Sequence, residues 1–544
     1  MMWSPSRPLE LLVILRLVLA ATLFVAALAP ASASSPWWEP VARPAQDSQI
    51  NVTGEPFKGT DDQGRVRGFV DAHNHLMTNE AFGGRLICGK PFSEQGAADA
   101  LKDCPEHHPA GLGAIFEALV TSDFDGHDPV GWPTFRDWPS YKTVSHQQNY
   151  YAWLERAWRG GQRVLVTDLT SNAELCVIYP FKDRSCDEMT SVRLQAQRTY
   201  ELQAFVDKQF GGPGKGWFRI VTSPEQARDV IEQGKLAVVL GIETSELFGC
   251  RQVLDLPLCS KAAIDRGLDE VHALGVRSIF LCHKYDNALC GVRFDSGVQG
   301  GVINAAQFLR TGTWWKTEKC AGPQQDNPIG VAPANALIPA SAVAPAYDPA
   351  KRCNVRGLTS LGEYAVQGMM KRHMMIEIDH MSVKAASRTL DLATRARYPG
   401  ILSSHSWMDA QWTEKVYQLG GFVASYEFDA EGFVSQAAST AALRQKYGVG
   451  LGFGTDYNGV GSHPSPRTGV TYPFRSFPDG PLVDRQRTGE RVWDINTDGG
   501  AHVGLVPDWV EQVRRLGGDQ LVQELLGGAE SYLRTWSGTQ RWTS

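Results

Sequence analysis

Two histidines separated by one residue, His73 and His75, follow a short apolar segment near the start of the chain. In an extended strand, residues i and i+2 point the same way, so both imidazoles would face one point. Neutral imidazole is a common ligand of Zn²⁺ in proteins. The pair therefore predicts part of a metal site.

Four more polar residues, Glu243, His380, His405 and Asp456, each end a separate apolar segment. Together these donors suffice for two ions bridged by Glu243, and two ions ~3.5–4 Å apart can hold a shared hydroxide and polarise a carbonyl or phosphoryl oxygen. Asp456 could accept a proton from that water and return it to the leaving group. We expect two divalent metal ions, with zinc favoured, held by His73, His75, Glu243, His380, His405 and Asp456.

Each of these residues alone has an ordinary explanation, such as a packed histidine, a salt-bridged glutamate or an aspartate that caps a helix. Their combination at the ends of several apolar segments favours the metal site. Histidines without that context are interpreted as ordinary loop or surface residues: His107, His108, His127, His146, His272, His463 and His502.

Eight short segments rich in Val, Ile, Leu and Phe predict strands, and most of them are apolar on both faces, as in a covered parallel sheet. Helix-like segments separate them, which indicates βαβ units. We therefore expect a (β/α)₈ TIM-type barrel whose site lies at the carboxyl ends of the strands. The predicted strands are Val66–Ala72, Arg163–Leu169, Leu236–Ile242, Arg277–Cys282, Met374–Asp379, Gly400–Ser404, Gly421–Tyr426 and Gly448–Thr455.

The predicted organisation has three parts: a signal peptide over 1–33, an N-terminal extension over 34–65 and the barrel over 66–544. Long insertions on the C-terminal face are expected at about 77–150, 285–358 and 457–505. Charged residues before an apolar stretch, and a small-x-small site near Ala33, are typical of export. We expect a secreted, extracellular protein without a membrane span after cleavage; an uncleaved anchor is the alternative.

The ten cysteines form five couples that are close in sequence, each in or beside a loop after a predicted strand. An even number in an exported chain favours disulfides. The formal net charge of -6, with no cluster of Lys and Arg, excludes nucleic acid as an expected partner. The expected partner is a small-molecule or peptide substrate, and a homodimer is one candidate assembly. The couples are 88/104, 176/186, 250/259, 282/290 and 320/353.

Six short motifs lie at the ends of the predicted strands. They are Asp71-Ala72-His73-Asn74-His75, Gly241-Ile242-Glu243, Leu281-Cys282-His283 with Asn287, Asp379-His380-Met381-Ser382, Ser403-Ser404-His405-Ser406 and Gly454-Thr455-Asp456-Tyr457-Asn458-Gly459. Together they resemble the membrane (renal) dipeptidase family of the amidohydrolase superfamily, over roughly residues 66–540.

The resemblance implies a zinc hydrolase that cleaves a small amide or peptide bond. His73 and Glu243 would bind one zinc, and Glu243 would bridge to a second zinc held by His380 and His405. His283 would contact the substrate or the tetrahedral intermediate. Asp456 would be the proton shuttle. The expected catalytic residues are therefore Asp456 and His283, and the expected substrate-binding residues are His283, Asn287, Arg293, Trp407 and Tyr457.

Two departures from the family concern the metal site and the substrate. The family has Asp where this chain has His75, which removes a negative charge. In the family, an arginine after the motif that contains His405 in this chain binds the carboxylate of the dipeptide. This chain has no arginine there and has Trp407 and Trp412 instead. Arg293 is either a replacement for that arginine or an ordinary surface residue. A lactone, ester or phosphoester substrate is therefore the alternative, and a non-catalytic extracellular binding protein is a further one.

Overall fold

The computed structural model describes Met1 and residues 36–107, 117–118, 121, 126–330, 345–426, 429–461, 463–477 and 480–543. The predicted signal peptide and its cleavage site near Ala33 lie, apart from Met1, outside these residues. Across the described ranges, no helix combines the length and apolarity that crossing a bilayer requires.

Eight parallel strands form the central sheet, at the positions that the apolar segments predict. Successive strands pair in chain order, and the first pairs with the eighth through Asp71 and Phe453, so the sheet closes on itself. The predicted (β/α)₈ barrel is confirmed. The strands are β1 (Phe69–Asn74), β2 (Gln162–Ser171), β3 (Leu236–Thr244), β4 (Val276–Phe280), β5 (Met375–Glu377), β6 (Ile401–Ser403), β7 (Phe422–Tyr426) and β8 (Gly452–Gly454).

Burial explains why these segments become strands. Every residue of β2 and β3 is buried, because both faces of each strand are covered. Such strands gain from Val, Ile and Leu on both sides. A short additional strand, Phe218–Ile220, pairs with the start of β3 on the side of β4.

Helices surround the sheet, and side-chain caps fix where several of them begin. The hydroxyls of Ser223, Thr359 and Ser382 accept hydrogen bonds from backbone N–H groups three residues later, which satisfies donors that a helix start leaves free. The main helices are α1 (Tyr151–Arg159), α2 (Ala173–Ile178), α3 (Glu188–Gln209), α4 (Pro224–Glu232), α5 (Lys261–Ala273), α6 (Gly297–Thr311), α7 (Ser360–Lys371), α8 (Val383–Ala396), α9 (Thr413–Gln418), α10 (Ala430–Tyr447), α11 (Val506–Leu526) and α12 (Gly528–Arg541).

The last helix, α12, covers apolar residues of the central sheet. Tyr532 and Trp536 belong to the same buried cluster as Val70 of β1 and Val166 of β2. The Ser531 hydroxyl also accepts a hydrogen bond from the backbone N–H of Gly450, just before β8, at 2.7 Å. Residues near the end of the chain therefore complete a core that begins at its first barrel strand.

Small sheets and disulfides organise the connections. All five predicted cysteine couples are disulfide-bonded: Cys88–Cys104, Cys176–Cys186, Cys250–Cys259, Cys282–Cys290 and Cys320–Cys353. Each lies in a segment that follows one of the strands β1 to β4, on the side of the carboxyl ends. The small strands are Ser48–Gln49, Val52–Thr53, Gln252–Val253, Leu256–Pro257, Thr317–Glu318, Cys353–Asn354, Phe474–Arg475, Leu482–Val483, Gln486–Thr488 and Arg491–Trp493.

A buried ion pair joins α1 to α11. Arg156 binds Asp508, both side chains are fully buried, and the Tyr472 hydroxyl donates to the same carboxylate at 2.6 Å. Arg156 also donates to the carbonyl of Asp484 at 2.6 Å. The pair thus links helices that are about 350 residues apart in sequence.

We expect Arg156→Met to lower the free energy of unfolding by about 3–5 kcal/mol, because it leaves the Asp508 charge buried without its cation. Urea unfolding followed by circular dichroism measures the change. The double variant Arg156→Met/Asp508→Leu should recover part of the loss, since it removes the stranded charge. An unfolding midpoint that Arg156→Met leaves unchanged would contradict this account.

Candidate metal centre

The Glu243 carboxylate, at the end of β3, lies among four imidazoles from three other segments. Its Oε1 is 3.2 Å from His380 Nε2 and 3.8 Å from His73 Nε2. Its Oε2 is 3.5 Å from His75 Nε2 and 3.6 Å from His283 Nε2. All five side chains project from the carboxyl ends of strands, where a barrel gathers its polar groups.

Asp456 and His405 complete this arrangement. Asp456 Oδ1 is 3.1 Å from His75 Nε2, and His405 Nε2 is 3.0 Å from His380 Nε2. One donor atom from each member lies within 4.8 Å of the others in three groups. The structure thus brings together all six residues predicted as ligands, and it adds His283. The groups are His73/Glu243/His405, His73/His75/Asp456 and Glu243/His283/His380.

Two of the predicted ligands have an unusual backbone conformation at the C-terminal end of the barrel. His380 and Asp456 adopt left-handed conformations, with φ of 62° and 54°, which non-glycine residues take up rarely and at a cost in free energy. Gly459 follows Asp456, and a Cβ built on it would lie 1.8 Å from Asp456 Oδ1 and 2.5 Å from His75 Cδ2. A side chain at this position would therefore displace two of the predicted ligands.

Two buried carboxylates that the sequence analysis missed stand behind the histidines. Asp168 Oδ2 is 3.1 Å from His73 Nδ1, and the Asp168 carbonyl is 2.8 Å from His75 Nδ1. Asp379 Oδ2 is 3.0 Å from His405 Nδ1 and accepts from the His405 backbone N–H at 2.9 Å. Carboxylates and carbonyls in this position orient imidazoles so that their other nitrogen faces a metal.

Burial and neighbouring charges shift the pKa values of the site's ionisable groups in different directions. Burial, with the neighbouring His405, lowers the pKa of His73 to about 3, so this imidazole is neutral. Burial opposes protonation of His75, but its hydrogen bond to Asp456 and the Glu243 charge outweigh burial and raise the His75 pKa to about 9. Burial would also raise the Asp456 pKa, yet the same hydrogen bond and the nearby histidines hold it below its usual range. Asp456 is thus ionised at neutral pH.

A cavity of about 880 Å³ opens over these donors, a volume typical of small-molecule sites. His73, Glu243 and Asp456 lie on its wall, as do His283, His380 and His405. Much of the remaining lining is apolar. It includes Phe82, Leu175, Ile178, Ile303, Trp407 and Val460.

Of the residues predicted to bind substrate, His283 and Trp407 line this cavity. The other three predicted residues do not line it. The Asn287 amide is used within its own loop, where it donates to the carbonyls of Ser245 and Leu281. Arg293 donates to Asn327 at 3.2 Å and does not reach the cavity wall. Tyr457 lies behind the wall, where its ring stacks on His463 with centroids 4.2 Å apart.

Lys284 is a cavity residue that the sequence analysis did not identify. It is the sole Lys or Arg among the described lining residues. Its Nζ lies 3.1 Å from Asp295 Oδ1 and 5.5 Å from the centre of the Trp407 ring. Lys284 could have been predicted to line the cavity from its position next to His283, since a residue beside a strand-end histidine also lies near the barrel mouth.

We expect Asp379→Asn to weaken metal binding by roughly 10–100-fold, the range typical of partners that orient a ligand. The isosteric amide keeps the packing but removes the charge beside His405 Nδ1. Competition with a chromophoric chelator measures the dissociation constant. Asp326→Asn is the matched control, because Asp326 is another buried carboxylate whose oxygens accept from backbone N–H groups, of Val383 and Asn354. Equal affinities for both variants would contradict the assigned role of Asp379.

A closed (β/α)₈ barrel with buried histidines and carboxylates converging at its C-terminal mouth is the class of structure that these observations define. No family model and no curated protein sequence matches the chain. Among solved structures, an amidohydrolase from Pseudomonas aeruginosa is similar at 13% identity, covering 71% of this chain and 90% of its own, with a TM-score of 0.39.

Two further solved structures carry peptidase titles. A metallo peptidase from Rhodobacter sphaeroides, liganded with a phosphinate mimic of the dipeptide L-Ala-D-Ala, is 12% identical, with 71% of this chain and 88% of its own covered and a TM-score of 0.38. The probable dipeptidase PvdM from Pseudomonas aeruginosa is 17% identical, with 70% and 87% covered and a TM-score of 0.36. The barrel assignment depends on this chain's own strand pairing rather than on these likenesses.

Proposed function

We propose that this protein is an exported hydrolase that uses two divalent metal ions, with zinc favoured, to cleave a small amide or peptide bond as a dipeptidase does. The observation that carries the proposal is the convergence of four predicted histidine ligands and two carboxylates at one barrel mouth, where all of them except His75 line the cavity. Imidazole and carboxylate donors in this number suit zinc.

The residues present fit such ions. Glu243 Oε1 is buried without a hydrogen-bond partner among the described residues, and an unpaired buried carboxylate oxygen is costly. Cations held by the surrounding donors would offset that cost. The residues that would hold them are His73, His75, Glu243, His380, His405 and Asp456. When bound, two such ions acidify water and polarise the oxygen of a scissile group.

The chain's own groups supply the rest of the chemistry. Asp456, ionised and 16% exposed at its side chain, is placed to accept a proton at Oδ1 and to return it to the leaving nitrogen. His283, whose Nε2 is 3.6 Å from Glu243 Oε2, would orient the substrate carbonyl. His283 also belongs to one of the three groups of converging donor atoms, with Glu243 and His380, so it is a further candidate ligand. The apolar wall limits the access of bulk water.

Lys284 is the group that would hold a dipeptide's carboxylate in place of the missing arginine. We expect Lys284→Met to raise KM at least about 10-fold for a dipeptide with a free carboxylate, because a charge-assisted hydrogen bond contributes ~1.5–3 kcal/mol. The same variant should leave KM nearly unchanged for the dipeptide amide, which lacks that charge. Steady-state kinetics with the two substrates measures the difference. A parallel rise for both substrates would show that Lys284 does not read the carboxylate.

The alternative substrates are a lactone, another ester or a phosphoester, since the same ions would serve all of them. The experiment that tests the proposal measures metal content and then screens dipeptides, lactones and phosphoesters, with His405→Ala as the control. Dipeptide hydrolysis that depends on His405 and is abolished by a chelator is the expected result. Hydrolysis of lactones or phosphoesters alone would replace the substrate class, and a metal-free, inactive wild type would favour a binding protein.

Export is part of the proposal. The five disulfides are consistent with an oxidising compartment outside the cytosol. Mass spectrometry of the mature N-terminus from culture medium tests the predicted cleavage near Ala33. Intact chain confined to the cell membrane would instead favour the uncleaved anchor.

A further inference from the structure

A second group of metal-binding side chains lies outside the cavity, in the segment that follows β1. It consists of Glu117, His127 and His146, with His107 beside them, and we call it the Glu117 cluster. From the sequence alone, its histidines are expected to be ordinary loop or surface residues. His107 and His146 are not at the surface, since they are 1% and 0% exposed, while the side chain of His127 is 11% exposed.

Donor atoms converge within this cluster. His127 Nδ1 is 3.1 Å from Glu117 Oε1, and His127 Nε2 is 2.6 Å from His146 Nε2. One donor from each of these three residues lies within 4.8 Å of the others. Two imidazoles and one carboxylate are a common zinc ligand set.

His107 supplies an independent indication of a ligand. Its Nε2 is 3.0 Å from the Leu86 carbonyl, which can only accept, so the proton sits on Nε2 and the Nδ1 lone pair is free. That Nδ1 is buried without a hydrogen-bond partner among the residues that the structure describes. The His107 ring centre is 5.0 Å from that of His146.

The surroundings hold these groups in place. Glu117 Oε2 accepts from the backbone N–H of Ser145 at 3.0 Å, which leaves Oε1 facing His127. Trp138 stacks on His146, with ring centres 4.6 Å apart. The neighbouring Cys88–Cys104 sulfurs are bonded to each other and are therefore not thiolate ligands.

We propose that the Glu117 cluster binds one divalent transition-metal ion of the zinc class, through Glu117, His127 and His146, with His107 as the candidate fourth ligand. The ion would cross-link distant parts of the segment after β1 to one another. The segment already contacts the loop after β8, because Asn458 donates to the His146 carbonyl at 2.9 Å and Asn149 donates to the Tyr457 carbonyl at 3.0 Å. The site is structural and separate from the cavity.

The test uses the full chain with the cavity site disabled by His73→Ala and His405→Ala, so that its result does not depend on the proposed hydrolase activity. Chelator-stripped protein is titrated with Zn²⁺ alone, and bound zinc is counted by mass spectrometry after buffer exchange. We expect one zinc per chain to remain in this background. Adding Glu117→Gln or His127→Ala should remove it, while His272→Ala, a histidine on α5 outside both sites, should not.

Glu117→Gln preserves shape and His127 is partly exposed, so at least one of the two variants should fold, which circular dichroism checks. Equal zinc counts with and without these substitutions would overturn the proposal. A cavity-disabled chain that binds no zinc would overturn it as well.

Discussion

Replacing His405 with alanine should abolish turnover while the barrel stays folded. His405 Nε2 lies 3.0 Å from His380 Nε2, and Asp379 holds its other nitrogen. Removing a ligand should cost more than the ~10–100-fold that loss of an orienting partner costs, so we expect kcat/KM to fall more than about 100-fold. Steady-state kinetics and metal analysis of the same sample measure both effects.

His272→Ala is the matched control for this prediction, since it removes an imidazole from the outer face of α5. A His405→Ala protein with wild-type turnover and metal content would show that the cavity is not a metal centre. Normal circular dichroism is needed in both variants before their activities are compared.

Asp456→Asn is the second variant with a large expected effect. The amide has the shape of the carboxylate but cannot accept the proton that Asp456 Oδ1 is placed to take. We expect kcat to fall by about 10²–10⁴-fold, the range typical of general acid–base groups. The bound metal should fall less than in His405→Ala, because the amide oxygen can still coordinate.

Asp429→Asn is the matched control in the same cavity. Asp429 lines the wall and caps α10 by accepting from the Gly432 N–H at 3.1 Å. Asparagine caps helices as well as aspartate does, so turnover should stay near that of the wild type. Pre-steady-state mixing of Asp456→Asn with substrate would locate the lost step, and an unchanged kcat would remove Asp456 from the proton pathway.

The barrel could be predicted because its strands are apolar on both faces, which indicates a covered parallel sheet, and because eight of them favour a closed barrel over an open doubly wound sheet. The ligands could be predicted because each follows such a strand. The start of helix α10 is hard to predict, because its first half from Ala430 is rich in small residues and has no strong apolar face. Asp429 caps the first turn of this helix, and an aspartate at that position is a sequence signal for a helix start.

The residues behind the ligands could not be predicted in the same way. Asp168 and Asp379 lie at strand ends like many structural carboxylates, and their contacts with His73 and His405 depend on how neighbouring strands align. Arg293 is turned toward Asn327 by the folding of its own loop. The Glu117 cluster was missed because its members are spread over a long insertion that has no regular period.

The position of α12 has a consequence for how the protein is made. Tyr532 and Trp536 pack with Val70 and Val166, so the first two barrel strands have part of their apolar surface uncovered until residues 528–541 have left the ribosome. A nascent chain that lacks them would expose that surface and would be a substrate for chaperones. Completion of the barrel core therefore requires residues 528–541 to be free to pack against the strands.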